Sequence, residues 1–94
     1  MKSTEQKRAL IEDQCARLDK LLAQVAKIGT PVHSHLQDVG AIKRGAKRAA
    51  SEEQLTDIDD RLTKLFALLK STPAADGEAI INPERFNLFL NGSR

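Results

Sequence analysis

Apolar residues recur along the first third of the chain with the period of an amphipathic helix. One stripe advances by steps of four, three, four and three through Ile11, Cys15, Leu18, Leu22 and Val25. This heptad spacing is typical of a helix that packs lengthwise against others. No glycine or proline interrupts residues 3–28, so we predict one long helix there. Leu21 broadens the apolar face, and Gly29 provides the left-handed conformation that commonly ends a helix.

A second heptad stripe lies further along the chain. Its members are Leu55, Ile58, Leu62, Leu65 and Leu69. Phe66 and Leu68 broaden this face as well. The residues before it have the form of a capping box, in which the Ser51 side chain accepts an N–H from Gln54 and the Gln54 side chain reaches back to the backbone of Ser51. We therefore predict a helix over residues 51–71.

The segment between these stripes has a weaker helical pattern. Thr30 is a good N-cap, and Pro31 suits the first helical position, which predicts a helix over residues 31–49. Its apolar positions are Val32, Leu36, Val39, Ile42, Ala46 and Ala49. Gly40 and Gly45 each cost roughly 1 kcal/mol relative to alanine inside a helix. We expect this helix to bend or fray beyond Gly40.

Turn-forming residues then separate the third helix from a short last one. The sequence Asn82-Pro83-Glu84 is a helix start, with an asparagine cap, a proline and an acid in order. Phe86, Phe89 and Leu90 give this helix an apolar side. We predict a helix over residues 83–91 that docks onto the long helices.

Together these elements predict a single all-α domain over residues 1–94. We expect a small helical bundle built on a long antiparallel helical hairpin, with the first and third helices as its two members, a bridging second helix and a short C-terminal helix. A chain of this length buries only about 60–65% of its unfolded surface, so the broad apolar faces predict a homo-oligomer. The candidate oligomer or partner face consists of Leu18, Leu21, Leu22, Val25, Leu62, Leu65, Phe66 and Leu69.

The sequence contains no constellation that predicts catalysis, a metal site or a cofactor. His33 and His35 stand two residues apart, which places them on different sides of a helix, and no CxxC, HExxH or Walker motif is present. Cys15 lies on an apolar stripe, where burial makes a thiol inert. We expect a protein that is not an enzyme. No apolar run is long enough to span a bilayer, and one cysteine fits a reducing compartment, so we expect no membrane partner and a cytoplasmic location.

Charge is distributed unevenly although the net charge is only +2. Residues 30–50 hold four basic and one acidic side chain, and the four cations fall within six positions. On the third helix, Asp57 precedes Arg61 by four residues and Asp60 precedes Lys64 by four. This order favours pairing along the helix.

The four clustered cations, Lys43, Arg44, Lys47 and Arg48, are the candidate anion-binding residues. On a helix they form two adjacent rows whose mutual repulsion a polyanion would relieve. The alternative is a solvated face near a helix C-terminus, or pairing with acids of the same chain. The chain has neither tryptophan nor tyrosine, so base-stacking platforms are not evident.

Two functions remain open from the sequence. The first is a small non-enzymatic interaction protein, a regulator, inhibitor or adaptor, that contacts an unidentified protein partner through helix faces. The second is a binder of nucleic acid or of a phosphorylated or nucleotide ligand through the cluster at residues 43–48. The apolar stripes favour the first, and the clustered cations favour the second.

Overall fold

Three helices pack around one apolar core in the computed structural model, which describes residues 2–85. The helices are α1 (Lys2–Lys27), α2 (His33–Arg48) and α3 (Glu52–Ser71). Each helix contacts the other two, so the predicted all-α bundle is confirmed. The predicted last helix begins with one helical turn, in which Asn82 Oδ1 accepts the N–H of Arg85 at 3.0 Å. The rest of that prediction, with Phe86, Phe89 and Leu90, lies outside the described residues.

The antiparallel hairpin consists of α1 and α2, and α3 runs in the same direction as α1. Near the start of both helices, Lys7 Nζ donates to Thr56 Oγ1 at 3.0 Å. Just beyond the end of both, the N–H of Ala75 donates to Thr30 Oγ1 at 2.9 Å. The prediction that the first and third helices are antiparallel is therefore wrong. Short connections reverse the chain twice, which returns the third helix to the direction of the first.

The two heptad stripes are buried as predicted, but inside this one chain. Seven of the eight residues of the candidate oligomer face are at most 6% exposed, and Phe66 is half-buried. The seven are Leu18, Leu21, Leu22, Val25, Leu62, Leu65 and Leu69. They are core residues and not a partner face, because Val39, Ile42 and Ala46 of α2 cover them together with Ile80 and Ile81. The reason for predicting an oligomer through these faces is lost.

The connection from α1 to α2 differs from the prediction at one residue. Gly29 ends α1 with a φ of +95°, as predicted. The predicted cap Thr30 does not cap α2, which begins at His33 without a side-chain cap. Thr30 is instead buried, and its hydroxyl bonds to Ala75. The local pattern assigned the Thr30 hydroxyl oxygen to the start of α2, but this oxygen accepts a tertiary hydrogen bond from Ala75 instead.

The start of α3 follows the capping-box pattern with one shift. Ser51 Oγ accepts the N–H of Gln54 at 3.2 Å, as predicted. The Gln54 side chain accepts the N–H of Ala50 at 2.6 Å, one residue earlier than the pattern places it. Both bonds satisfy N–H groups at the point where the chain leaves α2, which fixes the turn between the two helices.

Helix α2 stays helical through both glycines to Arg48, so the expected fraying beyond Gly40 is wrong. A Cβ built at Gly45 would lie 2.6 Å from Ile58 Cδ1, so the glycine allows α3 to approach closely. From α1, Arg8 Nε donates to Ala46 O at 2.9 Å, and its Nη2 donates to Ala49 O. These bonds satisfy carbonyls that the end of a helix leaves free.

A closing segment, residues 72–85, covers one end of the bundle. Pro73 and Ala79 form an isolated antiparallel bridge around a turn in which Gly77 has a φ of +86°. The amides of Ile80 and Ile81 bond to carbonyls at the end of α3. Both isoleucine side chains are almost fully buried, so the segment belongs to the core.

Candidate functional site

The residues of the basic cluster differ in their surroundings. Lys43 faces α1, where its Nζ lies 2.9 Å from Asp19 Oδ2, and the hydrogen bond to this carboxylate raises the pKa of Lys43. Arg48 lines a hollow on the side of α3. Arg44 lies against α2 itself, since a Cβ built at Gly40 would be 3.4 Å from its Nη1. Lys43 therefore contacts α1, whereas Arg48 lies on the side of α3.

Three of the four cations have no partner in the part of the chain that the structure describes. Arg44, Lys47 and Arg48 are exposed, and no ion pair or hydrogen bond of their side chains occurs within residues 2–85. Pairing with acids of the same chain, one of the two alternatives from the sequence, is thus realised at Lys43 only. The other three cations are available to a ligand.

A groove of about 310 Å³ opens between α2 and α3, and we call it the α2/α3 groove. It is lined by Asp38, Ala41, Ile42, Arg61, Lys64, Leu65 and Leu68. Ile42 and Leu65 form a buried floor, while Ala41 and Leu68 form exposed apolar edges. Leu68 is 48% exposed, so its apolar surface is available at the edge of the groove.

The groove continues along the same helix pair toward the start of α3. A second hollow of about 280 Å³ is lined by Gly45, Arg48, Ala49, Gln54, Asp57, Ile58 and Arg61. Arg61 lines both hollows, so the two are adjacent. We include both in the α2/α3 groove from here on. Its apolar edge also extends beyond Ala41 to the half-exposed Leu36 on the outer side of α2.

Cations outnumber carboxylates in this lining. Arg48, Arg61 and Lys64 contribute three positive charges, and Asp38 and Asp57 contribute two negative charges. The predicted ion pairs of Arg61 with Asp57 and of Lys64 with Asp60 do not occur among the described residues. Both α3 cations therefore point to solvent beside an apolar floor, where a charged ligand group can reach them.

The cysteine and the two histidines lie outside the groove, and the structure does not bring them together into a catalytic or metal site. Burial raises the pKa of the Cys15 thiol to about 11, so this thiol is protonated near neutral pH and is a poor nucleophile. His33 Nε2 contacts the Gln37 amide at 3.1 Å, while His35 Nδ1 is buried without a partner among the described residues. Within residues 2–85, no three His, Cys, Asp or Glu side chains come together as a metal site would require.

Sequence reasoning missed the α2/α3 groove because it assigned the lining residues to other roles. Arg61 and Lys64 were expected to pair within α3, and Leu68 was counted as part of a buried face. The available signal was Leu68 itself, which directly precedes Leu69 and lies outside the heptad stripe of Leu62, Leu65 and Leu69. In the described part of the chain, no helix combines the length and apolar character that crossing a membrane needs.

Comparison with models of protein families, with curated proteins and with solved structures found no match to this chain.

Proposed function

We propose that this protein is a non-enzymatic interaction domain, a regulator, inhibitor or adaptor, that binds a segment of another protein in the α2/α3 groove. The observation that carries the proposal is the exposed Leu68 beside the unpaired cations Arg61 and Lys64. A groove with an apolar floor and a charged rim is the usual form of a site for a protein segment.

The distribution of exposed apolar residues supports this choice of surface. Four large apolar side chains are exposed among the described residues: Leu10, Ile28, Leu36 and Leu68. Leu68 and Leu36 each line a hollow that Ala41 also lines, whereas Leu10 lies on α1, which does not line the groove. Contiguous exposed apolar surface marks interaction sites more reliably than single exposed residues do.

Matched variants test the proposal. The tagged chain and its Leu68→Asp and Leu10→Asp variants are used to capture partners from the native host under identical conditions. Both variants place a carboxylate on an already exposed leucine, so neither should unfold the domain. We expect a partner that is recovered with the parent chain and with Leu10→Asp but is lost with Leu68→Asp. A partner retained by Leu68→Asp would contradict the proposed groove.

Anion binding is the second candidate function, and the unpaired Arg44, Lys47 and Arg48 favour it. Without tryptophan or tyrosine, the chain absorbs little at 280 nm, so copurified nucleic acid would dominate its ultraviolet spectrum. A salt-sensitive mobility shift of DNA or RNA, abolished in the Arg44→Glu/Arg48→Glu variant, would establish this function. A clean spectrum and no shift would discard nucleic acid as the partner.

We also propose a cytoplasmic location, because a single buried cysteine suits a reducing compartment. The predicted homo-oligomer remains a prediction, and the α2/α3 groove is one surface that it could use, since the apolar faces first assigned to it are buried. Sedimentation equilibrium of the parent chain and of Leu68→Asp distinguishes this case. Self-association that Leu68→Asp removes would make a second copy the occupant of the groove.

A further inference from the structure

We infer that the partner segment is an acidic amphipathic helix, whose apolar stripe packs on Leu65 and Leu68 and whose carboxylates pair with Arg48, Arg61 and Lys64. This inference rests on the proposed function, since it names the occupant of the same groove. It follows from three properties of the groove, namely its length, its backbone and its charge.

The length of the groove suits a helix of about four turns. On α3 the lining extends from Gln54 to Leu68, which corresponds to about 21 Å at the helical rise of 1.5 Å per residue. A partner helix laid along the seam of α2 and α3 would contact both and would complete a four-helix arrangement. An apolar stripe at helical spacing is what the floor of Ile42 and Leu65 and the edge at Leu68 can accept.

The backbone of the groove favours a helix over an extended segment. A strand binds by adding to a sheet edge, where free N–H and C=O groups pair with it. The lining residues of this groove belong to two helices and to Ala49 at the end of α2, whose N–H already bonds to Gly45 O. Affinity must therefore come from side chains, which is the mode in which helices bind grooves.

The charges of the groove favour an acidic partner. The hollow nearer Gln54 is lined by Arg48, Arg61 and Asp57, and the hollow nearer Leu68 is lined by Arg61, Lys64 and Asp38. Carboxylates of the partner should thus lie opposite Arg48, Arg61 and Lys64, away from Asp38 and Asp57. Complementary charge of this kind chiefly sets specificity and association rate.

A polyanion fits this groove less well than an acidic helix does. The buried floor of Ile42 and Leu65 offers a phosphate chain no donor, whereas the apolar stripe of a helix can pack on it. No aromatic residue is among the lining residues in the described part of the chain, so bases would find no stacking surface there.

The test is a selection from a library of helical peptides, followed by direct binding measurements. Peptides of about 18 residues, long enough to hold a helix in water, carry a fixed apolar stripe and random flanking positions. The bait is the full 94-residue chain. A tryptophan placed on selected peptides reports binding by fluorescence anisotropy without background, because the protein has no tryptophan. We expect the enriched peptides to carry Asp and Glu beside the stripe.

Charge reversal in the groove provides the specific control. Arg61→Glu/Lys64→Glu should weaken the selected peptides about tenfold or more. The matched Lys20→Glu/Lys27→Glu variant makes the same change in net charge on α1, outside the lining, and should bind as the parent does. If the groove reversal reduces the circular dichroism of the folded chain, Arg61→Gln/Lys64→Gln replaces it.

The outcomes separate this inference from the proposed function. Enriched peptides with basic or neutral flanks that still depend on Leu68 would overturn the acidic partner and leave the groove in place. A selection that yields no binder sensitive to Leu68→Asp would overturn the proposed function as well. Displacement of a selected acidic peptide by a DNA or RNA oligonucleotide at equal concentration would overturn the protein partner in favour of a polyanion.

Discussion

The thiol of Cys15 is fully enclosed in the core, and burial raises its pKa from 9.0 to about 11. The unfolded chain therefore loses this proton near pH 9, while the folded chain keeps it until about pH 11. Since the folded state holds more protons in that window, its stability is complete below pH 9 and falls as pH rises through 11. Two units of pKa correspond to on the order of 2–3 kcal/mol.

Urea unfolding followed by far-ultraviolet circular dichroism at pH 8 to 11 measures this loss. Cys15→Ala should abolish this decrease in stability between pH 8 and 11, even if the substitution also changes the stability at pH 8. The Lys43 amine, whose pKa is raised mainly by its hydrogen bond to Asp19, contributes a loss in the same direction to both proteins, because both retain Asp19, so the difference between them comes chiefly from the thiol. Equal slopes in the two proteins would show that the thiol is not shielded from water.

Replacing each of the two glycines of α2 by alanine should have a different effect on the stability of the fold. Gly40→Ala places its Cβ at an ordinary contact distance, 3.4 Å from Arg44 Nη1, and should stabilise the fold by about 0.5–1 kcal/mol. Gly45→Ala places its Cβ 2.6 Å from Ile58 Cδ1 and should lose all of that gain. In the Gly45→Ala background, Ile58→Val removes the crowding methyl and should cost less than it does in the parent chain. Equal urea midpoints for the two alanine variants would contradict the close approach of α2 and α3.

At the scale of elements, the end of α2 depends on a side chain from α1. Arg8 donates to the carbonyls of Ala46 and Ala49, and it is partly buried there. Arg8→Met keeps the aliphatic stem but removes these charged hydrogen bonds, so it should lower the free energy of unfolding by about 1–2 kcal/mol. Lys20→Met, an exposed substitution on the same helix, should change it by less than about 0.5 kcal/mol. Similar losses for both variants would mean that the Arg8 bonds contribute nothing.

Local patterns predicted the helices well where local forces decide their ends. The stripe from Ile11 to Val25, the stop at Gly29 and the cap at Ser51 are confirmed because each depends on residues within a turn or two. The start of α2 was predicted wrongly because Thr30 bonds to Ala75, 45 positions later in the sequence. Nothing local to Thr30 signals that partner. The continuity of α2 through Gly45 likewise depends on Ile58 and Arg8, which lie on other helices.

At the scale of the whole molecule, the fold class was predictable and the direction of the helices was not. Periodicity defines an apolar face but carries no information on which helix covers it, so the faces of α1 and α3 were assigned to an oligomer. In the structure α2 and the closing segment cover them. The candidate site could be predicted only in part, because Arg48 was identified as an available cation, whereas Arg61, Lys64 and Leu68 become a groove only once α2 lies antiparallel beside α3.

The closing segment should unfold together with the three helices. Ile80 is fully buried and its amide bonds to Thr72 O at 2.9 Å, while the amide of Ile81 bonds to Leu69 O at 3.2 Å. Thr30 ties the same segment to the turn between α1 and α2. Because Ala74, Ile80 and Ile81 anchor this segment in the common core, we expect it to have no separate stability.

Native-state hydrogen exchange tests this cooperativity directly. The amides of Ile80 and Ile81 should exchange with the same free energy as a core amide such as that of Leu22. Thr30→Val removes the acceptor of the Ala75 N–H and should lower all three values together by about 0.5–1.5 kcal/mol. If Ile80 and Ile81 exchanged at a much lower free energy than Leu22, the segment would open independently. The helices would then expose the apolar faces of α1 and α3 in the open state, and a partner surface there would again have to be considered.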